Sequence, residues 1–224
     1  MTENPSLGSV VLVHGLWWGP WSMGLVGRRL RREGFETHAF GYSTIRRSLP
    51  ANAAALREFI SGLDSERVDL VGHSLGGLVI LRMLDEFRDL PPGRVVLLGS
   101  PVHGSAVAAR VAEKRVFRPL VGQARQALEA GFSQAPADRE TLVIAGTRSV
   151  GVGRIFGPLD GPDDGTVTVS ECRLPGAEQL ELPVTHTGLV TAPSVAREVA
   201  RFLTEPTNQP TNQQTRLHSH GLQS

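Results

Sequence analysis

The sequence lacks most of the features that would take it out of ordinary globular chemistry. It holds one cysteine, Cys172, so an internal disulfide and any metal site built from several thiolates are excluded. Cys172 itself reads as a small buried side chain. No apolar run approaches the roughly 20 residues that a membrane-spanning helix needs, so no stable membrane insertion is expected. The opening residues, Met1-Thr2-Glu3-Asn4-Pro5-Ser6, have neither the basic start nor the apolar stretch of a secretory signal, and the expected location is cytoplasmic. Neither sign of charge is in excess: 23 Lys and Arg against 22 Asp and Glu leave a formal charge of +1. That supplies no global field to gather nucleic acid or an anionic membrane, and nucleic acid is not an expected partner.

What is present is an alternation of two patterns in a chain of 224 residues, 40% apolar and 20% charged, the size and composition of one globular domain. Short, β-branched apolar runs at 9–13, 37–42, 68–71, 95–98, 141–145 and 179–184 read as strands, the continuous ones as strands buried on both faces. Between them lie helical patterns at about 20–32, 51–63, 75–87, within 106–130, and at 194–203. Strand alternating with helix predicts an α/β domain over 1–203, a doubly wound, mostly parallel sheet of about six strands flanked by helices. Arg28, Arg29, Arg31 and Arg32 close the first helix, where cations favour the negative end of the dipole and read as a solvated helix end. Met83 falls at core spacing among Leu78, Val79 and Leu84. Residues 204–224 are rich in Thr, Asn, Gln and Pro and are expected to be a disordered polar tail. His218 and His220 in it lack a third ligand for a metal.

One segment carries chemistry. After the run Val68-Asp69-Leu70-Val71 comes Gly72-His73-Ser74-Leu75-Gly76-Gly77, then an apolar helix. This is G-x-S-x-G in the strand-turn-helix setting that exposes the serine hydroxyl above a sheet, and the N–H of Leu75, at the helix start, is a candidate oxyanion donor. A second donor should come from the loop after an earlier strand. Val13-His14-Gly15-Leu16 fits, with the Leu16 amide as candidate and His14 as a brace for the loop. Trp17, Trp18 and Trp21 follow, as candidates to line a substrate pocket or to pack the first helix. A serine nucleophile needs an imidazole base and a carboxylate to orient it, and with this elbow the partners follow in the order Ser, acid, His. Of seven histidines, His14, His38 and His73 precede the serine, His103 comes too early and His218 and His220 lie in the tail, which leaves His186. The acid should follow the strand at 141–145. Asp160, Asp163 and Asp164 are there, and Asp164, followed by Gly165 and Val167, is preferred because a tight turn at that place can aim one carboxylate inward, with Asp163 and Asp160 as the alternatives. The adjacent carboxylates have no regular ligand spacing around them, so neither metal nor cofactor is expected.

With these segments in view, the chain resembles bacterial lipases and esterases of the α/β-hydrolase family over about 10–203. Val11-Leu12-Val13-His14-Gly15-Leu16 is similar to their oxyanion loop, and Ser100-Pro101-Val102-His103-Gly104-Ser105 to their Thr-Pro-x-x-Gly-Ser segment. Asp163-Asp164-Gly165-Thr166-Val167 resembles their Asn-Asp-Gly-x-Val motif, and His186-Thr187-Gly188-Leu189 the loop of their catalytic histidine. The resemblance implies a serine hydrolase that cleaves a small-molecule acyl ester through an acyl-enzyme, with Ser74, His186 and Asp164 as triad, Leu16 and Leu75 as oxyanion hole, and Trp17 and Trp18 against the acyl group. A thioesterase, amidase or acyltransferase would use the same residues, and a non-catalytic binding module would keep only the fold. Eight residues precede the first strand, so a reduced, six-stranded α/β-hydrolase fold is expected. The only room for a lid is 106–138, too short and charged for a large apolar flap.

Overall fold

In the computed structural model, which describes residues 7–113, 122–124, 128, 131–151 and 157–206, the apolar runs become the strands of one sheet. These are β1 Ser9–Val13, β2 Glu36–Phe40, β3 Val68–His73, β4 Val95–Leu98, β5 Thr141–Gly146 and β6 Glu178–Leu182. Their spatial order is β2-β1-β3-β4-β5-β6, and every neighbouring pair is parallel. β1 starts the sheet, β2 is added on one side, and all later strands are added on the other. The reversal falls between β1 and β3, where helices on opposite faces diverge and leave a crevice beyond the carboxyl ends of the strands.

Strand alternation sorts the core into two layers. Val11, Val13, Leu70, Val95, Leu97 and Val143 face the layer formed by α2, Leu49–Ser61, and α3, Leu75–Glu86. Val10, Leu12, Val71, Val96, Leu98, Leu142 and Ile144 face α1, Gly24–Arg32, and the C-terminal helix Pro193–Thr204. The four central strands are apolar on both faces, whereas the outermost, β2 and β6, are largely exposed or half-buried. Local chemistry sets the helix limits. Ser48 caps α2 by accepting the Ala51 N–H at 3.4 Å, and Gly62 ends it. In α1, Arg29, Arg31 and Arg32 occupy the last turn.

Element boundaries moved by one or two residues, and three short elements were missed. The first helical pattern opens with a 3-10 turn, Pro20–Met23, before α1. After α4, Ala106–Glu113, a one-turn helix α5, Val169–Cys172, follows a capping box in which Thr168 and Glu171 satisfy each other's backbone N–H; that Thr-x-x-Glu signal was legible in the sequence. Another turn, α6, Gly188–Thr191, precedes α7, the helix Pro193–Thr204. The expected tail begins late, since Thr204 still closes α7; the remainder, 207–224, lies outside the described residues, as do 114–121, 125–127 and 129–130 of the expected lid. Cys172 and Met83 are buried as expected. Among the described residues, no helix is long and apolar enough to cross a membrane.

The amino ends of the strands are tied by a buried ionic network. Asp69 on β3, fully buried, accepts the Arg94 backbone N–H at 2.7 Å and the Arg67 guanidinium at 3.1 and 3.2 Å. Arg94 in turn donates to Glu140 at 2.5 Å and to the Phe202 carbonyl on α7 at 2.7 Å. Burial alone raises the Asp69 carboxyl above its ordinary value, and these donors oppose the rise. Replacing Asp69 by Ala strands a buried N–H and half of an ion pair, so Asp69→Ala is expected to cost about 2–4 kcal/mol. Urea unfolding measures it, and a loss under about 0.5 kcal/mol would show that the network contributes nothing.

Candidate active site

The carboxyl ends of β1, β3, β4, β5 and β6 bring the chemistry-bearing segments to the same end of the sheet. At the end of β3 the chain enters α3 without a loop, so the residue between them, Ser74, takes φ 53 and ψ −122. A side chain at positive φ is strained by about 1–3 kcal/mol. The turn survives because its neighbours are pinned. The Ser74 N–H donates to the Leu98 carbonyl at 2.9 Å. A Cβ on Gly76 would stand 2.3 Å from the Val13 carbonyl oxygen, and one on Gly77 would stand 2.0 Å from Ser100 Oγ. No larger residue allows α3 to approach β1 and β4 so closely. Ser74 is half-buried, and Leu75, 2% exposed, starts a 12-residue helix whose first amides have no intrahelical acceptor.

The loop after β1 lies alongside, since a Cβ on Gly15 would be 3.1 Å from Ser74 Cβ. His14 braces this loop: its Nδ1–H donates to the Gly15 carbonyl at 2.9 Å, and its ring stacks on Tyr42 at 4.5 Å. The Tyr42 hydroxyl donates to the His14 carbonyl at 2.8 Å. Leu16 is half-buried. Trp17 has φ 64, and with Ser74 it completes the non-glycine residues of positive φ among those described; its N–H donates to Thr44 Oγ1 at 3.4 Å. Trp18 is half-buried, with its ring edge on His73 at 6.2 Å and its face on Trp21 at 5.7 Å. Trp21 is 75% exposed and is a surface residue, not a pocket wall.

The three acidic candidates are placed differently. Asp160 is exposed. Asp163 serves its own turn, accepting the Ser149 hydroxyl and the Gly165 N–H, each at 2.7 Å. Asp164, 1% exposed, uses Oδ1 to accept the N–H groups of Thr166 and Val167 at 2.9 and 2.8 Å and turns Oδ2 to His186 Nδ1, 2.7 Å away. Since a carboxylate oxygen accepts, Nδ1 carries the proton and Nε2 holds a free lone pair. The His186 backbone is fixed too: its N–H donates to the Asp164 carbonyl at 2.8 Å, and its carbonyl accepts from His73 Nε2 at 3.2 Å. The His73 and His186 rings lie 4.6 Å apart.

Two participants escaped sequence reasoning. His73 precedes the serine and so is out of order for the base, and its packing against His186, 113 positions on, leaves no local signal. Burial, with charge on His186 as the next cause, pushes the His73 imidazole well below its ordinary value, and burial lowers His14 as well. The other is Gly99, after β4, with φ +57; a Cβ there would meet Leu189 Cδ1 at 2.5 Å, Asp164 Oδ2 at 3.1 Å and His186 Nδ1 at 3.3 Å. Its absent side chain is what lets the Asp164–His186 pair sit against β4. No group of three or more His, Cys, Asp or Glu side chains suited to a metal occurs among the described residues.

A family model described as the alpha/beta hydrolase family matches residues 10–215. No curated protein matches the sequence. Among solved structures, a metagenomic carboxyl esterase superposes with a TM-score of 0.69 at 20% identity, over 90% of this chain and 79% of its own. The monoacylglycerol lipase of Paleococcus ferrophilus gives 0.60 at 19%, over 89% and 95%. The carboxylesterase CesB of Bacillus subtilis gives 0.57 at 16%, over 91% and 85%.

Two outcomes follow from this packing. Gly99→Ala is expected to displace the His186 ring and slow phosphonylation of Ser74 by a fluorophosphonate at least about tenfold, with circular dichroism confirming a folded chain; a folded variant labelled at the wild-type rate contradicts the close packing. Burial resists protonation of His73, and of His14 less strongly, in the fold, so both take up a proton more readily when unfolded. Folding therefore loses stability as pH falls below the unfolded histidine value of about 6.5, each neutral imidazole adding a slope of up to about 1.4 kcal/mol per pH unit. Urea midpoints from pH 7.5 to 5 are expected to decline, and less steeply in His73→Asn. An unchanged slope in that variant would show that His73 is not the group involved.

Proposed function

The chain belongs to the alpha/beta hydrolase family, and from that premise we propose that it is a serine hydrolase of carboxylic esters working through an acyl-enzyme. The observation that carries the reading is the 2.7 Å bond from His186 Nδ1 to the buried Asp164, made beside the strained elbow that holds Ser74. Asp164 fixes the tautomer in which Nε2 is a base and stabilises the imidazolium that forms on proton transfer. Ser74 Oγ attacks the ester carbonyl as His186 Nε2 takes its proton. The amides of Leu16 and Leu75 receive the charge that develops on the carbonyl oxygen. His186 then returns the proton to the leaving alkoxide, and water repeats the sequence on the acyl-serine. Trp17 and Trp18 are the residues read as contacting the acyl group; the edge of the Trp18 ring on His73 supports this for Trp18, while Trp17 is exposed on the same loop. The esterase and lipase names of the structural neighbours favour an oxygen ester over the thioester and amide alternatives.

The reading also includes one catalytic domain over 1–203 and a cytoplasmic setting, which the lone, buried Cys172 suits. A chain-length series of p-nitrophenyl esters tests the activity. Turnover is expected on at least one member, falling about 10³-fold or more in Ser74→Ala and His186→Ala, and on the order of 10³–10⁴-fold in Asp164→Asn. Wild-type turnover in folded Ser74→Ala would reject the mechanism. Turnover of thioesters alone would reject the oxygen-ester substrate and keep the triad.

A further inference from the structure

A formal charge of +1 conceals an uneven distribution. Residues 14–32 include four arginines and no acidic residue, and residues 41–48 include two arginines and none. Trp21, Leu25, Arg28 and Arg32, spaced by four, three and four, share one face of the helical segment that runs from the 3-10 turn into α1. All four are exposed, Trp21 by 75% and Leu25 by 37%. The other two arginines of the cluster are engaged: Arg29 donates to the Thr191 carbonyl at 2.6 Å and Arg31 to Thr37 Oγ1. Arg28 and Arg32 form no ion pair with a described residue, and neither do the exposed Arg46 and Arg47 in the loop after β2. That loop meets the same region through the bond from the Trp17 N–H to Thr44 Oγ1.

We propose that this face docks the protein on an anionic lipid surface, with Trp21 and Leu25 entering the headgroup layer and Arg28, Arg32, Arg46 and Arg47 meeting lipid phosphates. Apolar exposure alone would fit many partners. The cations around it, which form no ion pair with a described carboxylate although the exposed Glu33 follows Arg32, complement an anionic surface, and an indole on the same face as guanidinium groups suits the boundary between headgroup and acyl chain. The face is continuous with the candidate site, because Trp21 stacks on Trp18 and Trp18 abuts His73, the neighbour of Ser74. Delivery of a lipid ester from that surface to Ser74 rests on the function proposed above; the docking does not.

The test is co-sedimentation of the full chain carrying Ser74→Ala, which leaves vesicles unhydrolysed, with vesicles of phosphatidylglycerol and phosphatidylcholine or of phosphatidylcholine alone. Binding is expected to the anionic vesicles, to weaken with salt, and to be weak on neutral ones. Arg28→Glu with Arg32→Glu is expected to lower partitioning at least about twentyfold, at about fivefold per lost cation, and Trp21→Ala or Leu25→Asp about tenfold. In chains retaining Ser74, the arginine pair and Leu25 variants are expected to keep wild-type turnover of a soluble ester, which also reports that they fold. Absence of binding, or binding indifferent to all these substitutions, overturns the proposal. A Trp21-dependent dimer in analytical ultracentrifugation with no vesicle binding overturns it in favour of a second copy. Binding without ester turnover would defeat the hydrolase reading and leave the docking face standing.

Discussion

The rest of the structure depends on how closely the chain can pack where it leaves β3. A helix beginning one residue after a strand has to pass against the neighbouring strands, and here it passes within contact of the Val13 carbonyl on one side and Ser100 on the other. Glycine at 76 and 77 permits that approach, and the approach in turn holds Ser74 in a conformation it would not otherwise keep. Because β1 and β3 adjoin at the point where the sheet reverses direction, the strained residue stands at the mouth of the crevice. Strain, exposure and location thus have one cause.

The two ends of the sheet carry opposite demands. At the carboxyl ends, Ser74 and Trp17 are held at positive φ, and three buried polar atoms, His14 Nε2, His73 Nδ1 and Ser100 Oγ, have no hydrogen-bond partner among the described residues. Each of these costs stability. At the amino ends, the buried Asp69 has its oxygens satisfied by Arg94 and Arg67, and Arg94 ties β4 to the residue before β5 and to α7. Backbone strain at non-glycine residues is thus found beside the candidate nucleophile, whereas buried atoms without a partner occur at both ends, Arg139 Nε before β5 among them. A cavity of about 220 Å³ at the amino end, bordered by Arg94, Glu140 and Glu178, belongs to the stabilising side, its carboxylates already engaged by Arg94 and Arg201.

Much of this was legible in the sequence because the signals were local. β4 was located to the residue, since the apolar run Val95–Leu98 lies between Arg94 and Gly99, which break the apolar pattern. The elbow showed itself through Gly72, Ser74 and Gly76 set between an apolar strand and an apolar helix. Asp164 was preferred to Asp163 and Asp160 through its place in the turn and the motif likeness around it, and the hydrogen bonds show a physical difference: Asp163 turns back onto Gly165 and Ser149, while Asp164 reaches His186. What was not legible depends on pairs distant in sequence. His73 and His186 are 113 positions apart, and nothing in Gly-His-Ser reveals that the imidazole will support a backbone carbonyl. Gly99 looked like any glycine after a strand. The tryptophans could not be divided into buried and exposed either, because Trp17, Trp18 and Trp21 straddle a turn and a 3-10 segment where neither the helical nor the strand period applies.

Charge illustrates a further limit on what composition decides. A balance of 23 against 22 is a sound argument against a global field, and at physiological ionic strength interactions between exposed charges are largely screened beyond about 8 Å. The same screening length makes the global sum irrelevant to a patch. From Trp21 to Arg32 the chain places four arginines before its first carboxylate, Glu33, and the fold leaves some of those arginines paired to carbonyl or hydroxyl oxygens and turns others to solvent. The helix dipole accounts for cations in the last turn of α1, at Arg29, Arg31 and Arg32. It does not account for Arg46 and Arg47, which sit on a different element, or for an indole left 75% exposed one ring away from the candidate site. A solvated helix end explains the position of the arginines along α1, and the pairing of exposed aromatic with unpaired cation across two segments matches a surface that offers both apolar depth and negative charge.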